Sequence, residues 1–418
     1  MATKFSATTG NDTTGTGTQL NPWLTAQKLA SNLAAGDTGY LRAGVYTTDV
    51  QISPSGSGGT SWANPIVFGA YPGEVATIRP NAGPQFALAL WGAAVKFWEF
   101  NGYNPGSPLS TNLVIDGVNL TGSCIKTTDA GSPGVNSATS IRMLNVEIKR
   151  AGGLNPGNTD GSGWLVGNGC NDCELISSYI HHNGISNFHH GIYIGGKRFI
   201  CRDNQFTQNA GEEIQLYSQS HANVTDGSRI YRNNIHHASA NSNPGGFYRM
   251  AVSLSDGDDI WFYNNIVNVG NGGGVELFTD AGVTNALIAH NSIYGVTGPG
   301  IIIPAGALNA KVYNNALWSC GSYISNSGTG SDLRNNIANG VDDPDFANAG
   351  AGDFTLLAGS PAIGAGYILP PPYNTITTDY AGVTRNSPPD IGAYQFVPVG
   401  SGQPPRTIHQ QRRRRVFA

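Results

Sequence analysis

IWFYNNI (260–266), LIAHNSI (287–293) and VYNNAL (312–317) are copies of one short unit: apolar residues, a polar pair, then a closing apolar residue. The unit recurs as IRMLNVEI (141–148), LISSYI (175–180), ICRDNQF (200–206) and IYRNNI (230–235). Aligned on the closing position, Leu120, Ile148, Ile180, Phe206, Ile235, Ile266, Ile293, Leu317 and Ile337 form one column, with steps of 20 to 32 residues. Strict helical repeats drift less than this, whereas coils of three short strands with turns of varying length fit it. Two residues before that column stand Ser178, Asn204, Asn233, Asn264, Asn291, Asn315 and Asn335. Asn tolerates the left-handed backbone of a tight bend. Stacked at about 4.8 Å per coil, the side-chain amides would bond one to the next. The reading is an all-β solenoid, a parallel β-helix, with an asparagine ladder. Unrelated turn residues of a β-sandwich would not recur at one coil's spacing.

A second, Gly-rich strand lies between these units: GIYIG (191–195), EIQLY (213–217), AVSLS (251–255), GVELF (274–278) and GIIIP (300–304). Two-residue alternation turns Ile192/Ile194, Ile214/Leu216, Val252/Leu254, Val275/Leu277 and Ile301/Ile303 inward. Tyr193, Glu213, Gln215, Tyr217 and Glu276 then face outward. Composition agrees with many tight turns: 57 Gly and only 12% charged residues, but 39% apolar residues to fill a core. A net charge of −4 gives no general attraction to nucleic acid. No run of about 18 apolar residues is present, so no membrane span is expected. The five Cys are an odd number, and Cys170–Cys173 is a single C-x-x-C, which makes buried packing a better reading than zinc even with His181 and His182 nearby.

Solenoids need caps. The segment 22–35, with Trp23, Leu29 and Leu33 near one face and Gly36 as its stop, reads as a capping helix, and YLRAGVY (40–46) as the first strand. The order Gly10-Asn11-Asp12, Asn21-Pro22-Trp23, Gly36-Asp37, Gly44-Val45-Tyr46 and Asn64-Pro65-Ile66 resembles the opening of right-handed β-helix repeat proteins, the pectate-lyase-like superfamily. LLAGSPAIGAG (356–366), then 379–385 and DIGAYQF (390–396), resemble the closing module of such proteins. The resemblance spans about residues 2–397. It implies a right-handed parallel β-helix and a class of polysaccharide lyases, epimerases, some hydrolases, adhesins and viral spikes. The chain thus divides into a cap and first strand (1–52), coils (53–341), a closing module (342–397) and a tail (398–418) that carries Arg412, Arg413, Arg414 and Arg415. Four consecutive Arg offer the one expected route to nucleic acid or an acidic surface, against a solvated flexible tail.

The stretch 181–249 concentrates the chemistry. An outward row of aromatic, amide and acid groups suits sugar recognition, since rings stack and polar groups satisfy hydroxyls. This gives Glu213, Gln215, Tyr217 and Glu276 as substrate-binding candidates. β-Elimination on an acidic sugar needs a base for the hydrogen α to the carboxylate, a cation beside that carboxylate, and an acid for the leaving oxygen. Tyr193, His190, Lys197 and Arg249 are the catalytic candidates. Asp256, Asp258 and Asp280 follow adjacent Gly-rich strands and are candidate oxygen ligands for Ca²⁺, or turn formers. Glu213 and Glu276, about 11–12 Å apart from strand and coil spacings, are too distant to favour a hydrolytic pair. The leading expectation is a lyase acting on an acidic polysaccharide. The alternative is a non-catalytic β-helix of a virion or cell surface, in either case a candidate homo-oligomer. The first ten residues lack the features of a secretory leader, and the expected location is extracellular, cell-surface or virion.

Overall fold

The computed structural model describes residues 1–398 except 54–56, 82, 104–110, 129–136, 153–159, 218–223 and 238–249; the side chains of 269 and 279–281 also lie outside the description. The described residues fall into two compact units, 1–200 with 204–217, and 201–203 with 224–237 and 250–398. Each is a stack of coils with three short strands per coil, and each strand pairs in parallel with its equivalent in the next coil.

In the first unit one coil runs Glu174–Ile176, Tyr179–His181 and Ile192–Ile194. Its third strand belongs to the series Val50–Ile52, Leu88–Trp91, Ile125–Thr128, Trp164–Val166, Ile192–Ile194 and Ile214–Leu216, all parallel. The alternation expected of these strands is observed. Ile192, Ile194, Ile214, Leu216, Val252, Leu254, Val275, Leu277, Ile301 and Ile303 are all buried. Burying such side chains in every coil is the main stabilising term, at roughly 1.5–3 kcal/mol each.

The N-terminal helix is shorter than expected, Ala26–Ala30, because Thr25 caps it by accepting the Lys28 N–H. Leu29 and Leu33 nevertheless cover the end of the stack, close against Gly39, where a Cβ would collide with both. The first strand is Thr3–Ser6, not the stretch at 40–46. That stretch turns a corner and splits into Thr38–Leu41 and Gly44–Tyr46.

The second unit shows the ladder most clearly. Asn233 Nδ2 donates to Asn265 Oδ1 (3.0 Å), Asn265 to Asn291 (3.2 Å), Asn291 to Asn315 (2.9 Å) and Asn315 to Asn336 (2.9 Å). Each acceptor oxygen also takes the backbone N–H of the preceding Asn. Asn264 and Asn335 are therefore not in the ladder; their neighbours Asn265 and Asn336 are. The slip arises because Val267, not Ile266, pairs with Ile235 and Ile293, and Ile337 pairs with Ala316. Ile266 is apolar for a different reason, since it packs with the closing segment. Leu120 is likewise off the column; Ile115 is the partner of Ile148.

The residue before each ladder Asn occupies the left-handed region: Arg232, Asn264, His290, Asn314 and Asn335. Three of these hold the closing segment. Asn264 Nδ2 donates to the Thr378 carbonyl and its Oδ1 accepts from Arg385, Asn314 bonds both ways with the Tyr367 backbone, and Asn335 donates to the Ala365 carbonyl. Phe346, Phe354, Leu356, Tyr380, Ile391 and Tyr394 complete an apolar layer there.

Candidate functional site

Three outward residues of the first unit's third strands, Leu165, Tyr193 and Gln215, are in register with Lys126. Tyr193 lies between buried Ile192 and Ile194, so the core fixes which way it points. One residue beyond the paired Val166, Ile194 and Leu216 come Gly167, Gly195 and Tyr217. A Cβ at Gly195 would collide with Asn168 Oδ1, and one at Gly167 would press on the Thr127 carbonyl, so glycine here lets neighbouring chain approach closely. The rings of Tyr193 and Tyr217 meet edge to face at 6.1 Å. Lys126 pairs with Asp160 at 2.9 Å and lies 5.0 Å over the Phe86 ring.

His190 sits at the entrance to this strand and is only 4% exposed. Gly211 provides the space, because a Cβ there would meet the imidazole. His190 Nδ1 lies 2.6 Å from Glu212 Oε2 and 3.2 Å from the Glu212 backbone N–H. The hydrogen bond is the one from the Glu212 N–H, with Nδ1 as acceptor; the carboxylate contact is a close approach of the two groups. The His190 ring is 5.8 Å from that of Tyr193. Tyr193, His190, Gln215 and Tyr217 are thus brought together, with His190 more enclosed than the sequence suggested.

Glu213 does not join them. It is fully buried, and its carboxylate accepts from the Asn209 side chain and the Asn209 N–H. Alternation fails here because the strand begins only at Ile214; Glu213 belongs to the preceding bend. Its role there is structural. Asn183 Nδ2 donates to Asn209 Oδ1 (2.9 Å), the Asn183 Oδ1 accepts the Ala151 N–H, and Glu213 closes this second, shorter ladder. The partner carboxylate that sequence reading missed is Glu212, one residue earlier. HNG (182–184) and QNAGEE (208–213) carry the signal, an Asn just past each second strand.

Lys197 lies in the bend after Ile192–Ile194, where its backbone bonds to Asn171 and Asp172. Arg249 lies outside the described residues, as does the tetra-Arg block. Glu276 is half-buried on the outer face of Gly273–Thr284 in the second unit, in register with buried Ser253. Asp256 is buried there. The Asp258 carboxylate accepts from Thr284 and Asn285 (2.7 Å each), contacts that hold it below the usual carboxylate range. The Asp280 side chain is outside the description. Among the described residues no three acid, His or Cys side chains converge as a metal set, so Asp256 and Asp258 do not by themselves make the oxygen cage that Ca²⁺ takes. Cys170 and Cys173 are buried free thiols, and burial pushes Cys173 up to about 12.

On the second strands of the same unit, Glu147 pairs across from Tyr179, and Lys149 from His181. Glu147 Oε1 contacts Lys149 Nζ at 2.6 Å and His181 Nε2 at 3.1 Å. His181 Nδ1 lies 2.7 Å from His182 Nδ1, and the Tyr179 ring stacks on His181 at 4.0 Å. Burial would raise Glu147, but the bonds from His181 and Lys149 outweigh it and hold the carboxyl below its usual range. Burial, then Glu147 and Glu213, push Tyr179 up to about 12.

The family model for the right handed beta helix region matches residues 134–338. Pectate lyase Pel9A superposes with a TM-score of 0.59 at 15% identity, covering 95% of this chain and 97% of that one. An alginate lyase from Paenibacillus sp. str. FPU-7 gives 0.56 at 16% identity, covering 78% and 99%. A rhamnogalacturonan lyase gives 0.52 at 12% identity, covering 83% and 90%. At these identities the likeness is one of fold. No match by sequence was found among curated proteins. Among the described residues no helix is long and apolar enough to cross a membrane.

Proposed function

We propose that this chain, a member of the right-handed parallel β-helix superfamily, binds a polysaccharide along the outer face of its first unit and cleaves an acidic glycan there by β-elimination. The observation that carries this reading is the pair Tyr193 and Tyr217, edge to face on the outer side of the third strands, with Gln215 in register and His190 beside Glu212. Aromatic rings on an outer strand face stack on sugar rings, and amide and imidazole groups satisfy hydroxyls. Tyr193, with His190 beside it, is the group that protonates a leaving oxygen, and Lys126, in register two coils away and paired with Asp160, is the cation nearest in register to a uronate carboxylate. The superposed proteins named as lyases of pectate, alginate and rhamnogalacturonan support an acidic glycan as the substrate class. Such a substrate places the protein at a cell surface, outside the cell or on a virion.

The test is absorbance of unsaturated products from pectate, alginate and glycosaminoglycans. Tyr193→Phe is expected to lower turnover by ~10²-fold with little change in melting temperature. Product formation with an unchanged Tyr193→Phe rate would move the centre elsewhere. Binding that is lost in Tyr193→Ala, without product from any glycan, would leave a non-catalytic surface or virion protein.

A further inference from the structure

The reading above leaves the proton acceptor of the elimination unassigned, and the bend between the second and third strands supplies one. His182 begins the connection from Tyr179–His181 to Ile192–Ile194, and His190 stands near its end. His182 is exposed, and its backbone has φ of 54°, a conformation that non-glycine residues rarely hold. The strain is maintained by the coil, since Arg150 and Gln208 take the same conformation at equivalent corners.

The proton positions follow in order from the contacts. Glu147 is ionised and can only accept, so His181 Nε2 carries a hydrogen. With its hydrogen at Nε2, His181 offers Nδ1 as acceptor, and the 2.7 Å contact then takes its hydrogen from His182 Nδ1. His182 Nε2 is left with its lone pair on an exposed ring. The Tyr179 ring, stacked on His181, fixes the middle member of the chain. Carboxylate, oriented imidazole and reacting group in series is the arrangement that makes an effective base.

We propose that His182 is the base that removes the hydrogen α to the carboxylate of a uronate residue, with His181 and Glu147 as positioning residues. The proposal rests on the lyase reading. In the step, the hydrogen passes as a proton to His182 Nε2 and its bonding pair forms the new C=C. The bond to the glycosidic oxygen breaks, and that oxygen takes a proton from the acid side of the site. The groups facing His182 are His181, Glu213, Arg150 and Lys149. Burial and then His181 lower its pKa from the ordinary imidazole value, Glu213 opposes this, and Arg150 and Lys149 add to it. The base form therefore persists below pH ~6.5.

The experiment uses the full chain and three readouts. His182→Asn, chosen because Asn accepts the left-handed backbone, should lower kcat by ~10²-fold and abolish the acid limb of the kcat/KM profile. Glu147→Gln should retain part of the activity and shift that limb. Nitrogen-15 NMR of the histidines should show His181 as the Nε2–H tautomer and His182 as Nδ1–H, in active and inactive preparations alike. Full activity with an unchanged profile in His182→Asn would overturn the assignment while leaving the lyase reading intact. The opposite tautomers would also overturn it. If wild type forms no product from any glycan, the lyase reading fails first, and the role of His182 as base fails with it even where NMR finds these tautomers.

Discussion

The left-handed corner before the ladder is built into both units, and it serves different ends in each. In the first unit Asn145 and Ser177 occupy it. In the second, Asn264, His290, Asn314 and Asn335 occupy it, and three of them bond the closing segment. The outer surface of the second unit's first strands is thus spent on packing, with Trp261, Leu287 and Tyr313 covered by Leu369 and Ile376. The outer surface of the first unit's third strands instead carries Tyr193, Gln215, Tyr217 and the His190–Glu212 pair. An identical backbone corner does not fix what a surface is for; what covers it does.

The largest effect expected from disturbing this contrast is at Arg385. Its guanidinium donates to Asn264 Oδ1 (2.7 Å) and to the carbonyls of Asp390 and Gly392. Burial lowers it to about 10, with Asp379 and Asp390 opposing. Arg385→Met should cost roughly 3 kcal/mol, the upper range for hydrogen bonds to a charged group, seen as a lower denaturation midpoint. Proteolysis should then begin in the closing segment. Cleavage beginning in the first unit would break the comparison.

Ladder and corner residues can be separated next. Asn291→Leu removes a buried amide with partners in two coils and should cost about 1–3 kcal/mol. Asn264→Gly, which keeps the left-handed backbone, should act through the closing segment instead, so combining it with Arg385→Met should be less than additive. Additive losses from Asn264→Gly and Arg385→Met would dissolve the distinction between the adjacent Asn residues.

The smallest effect is one of pH. Buried His290 is held well below its ordinary value by burial and then by Arg385. Below pH ~6.5 the unfolded chain takes up a proton that the folded chain refuses, so stability falls with falling pH at up to about 1.4 kcal/mol per unit. Asp379, raised by burial, works in the opposite sense at lower pH. His290→Asn should flatten the slope of the melting temperature between pH 6.5 and 5. A slope unchanged by this substitution would assign it to other groups.

Periodicity made the coils, the inward residues of the Gly-rich strands and most of the ladder legible in the sequence. A side chain inside a β-strand has two directions to choose from, and an apolar neighbour on each side decides between them. That logic placed Tyr193 and Gln215 correctly. It failed at Glu213, just outside a strand, and at Asn264, beside two apolar residues with different destinations. The His182–His181–Glu147 series was equally hidden, since Glu147 and His181 belong to strands of successive coils and no spacing in the chain announces the contact.

By itself, then, the sequence determined that short strands repeat, which faces are apolar, and that Asn stands at the bends, because burial and backbone handedness are local demands written residue by residue. The tertiary structure alone decided which carboxylate meets which imidazole, Glu212 with His190 and Glu147 with His181, and that Glu213 closes a ladder. Those pairings depend on turn lengths accumulated over a whole coil, and a change of one residue in a turn turns a side chain from one face to the other.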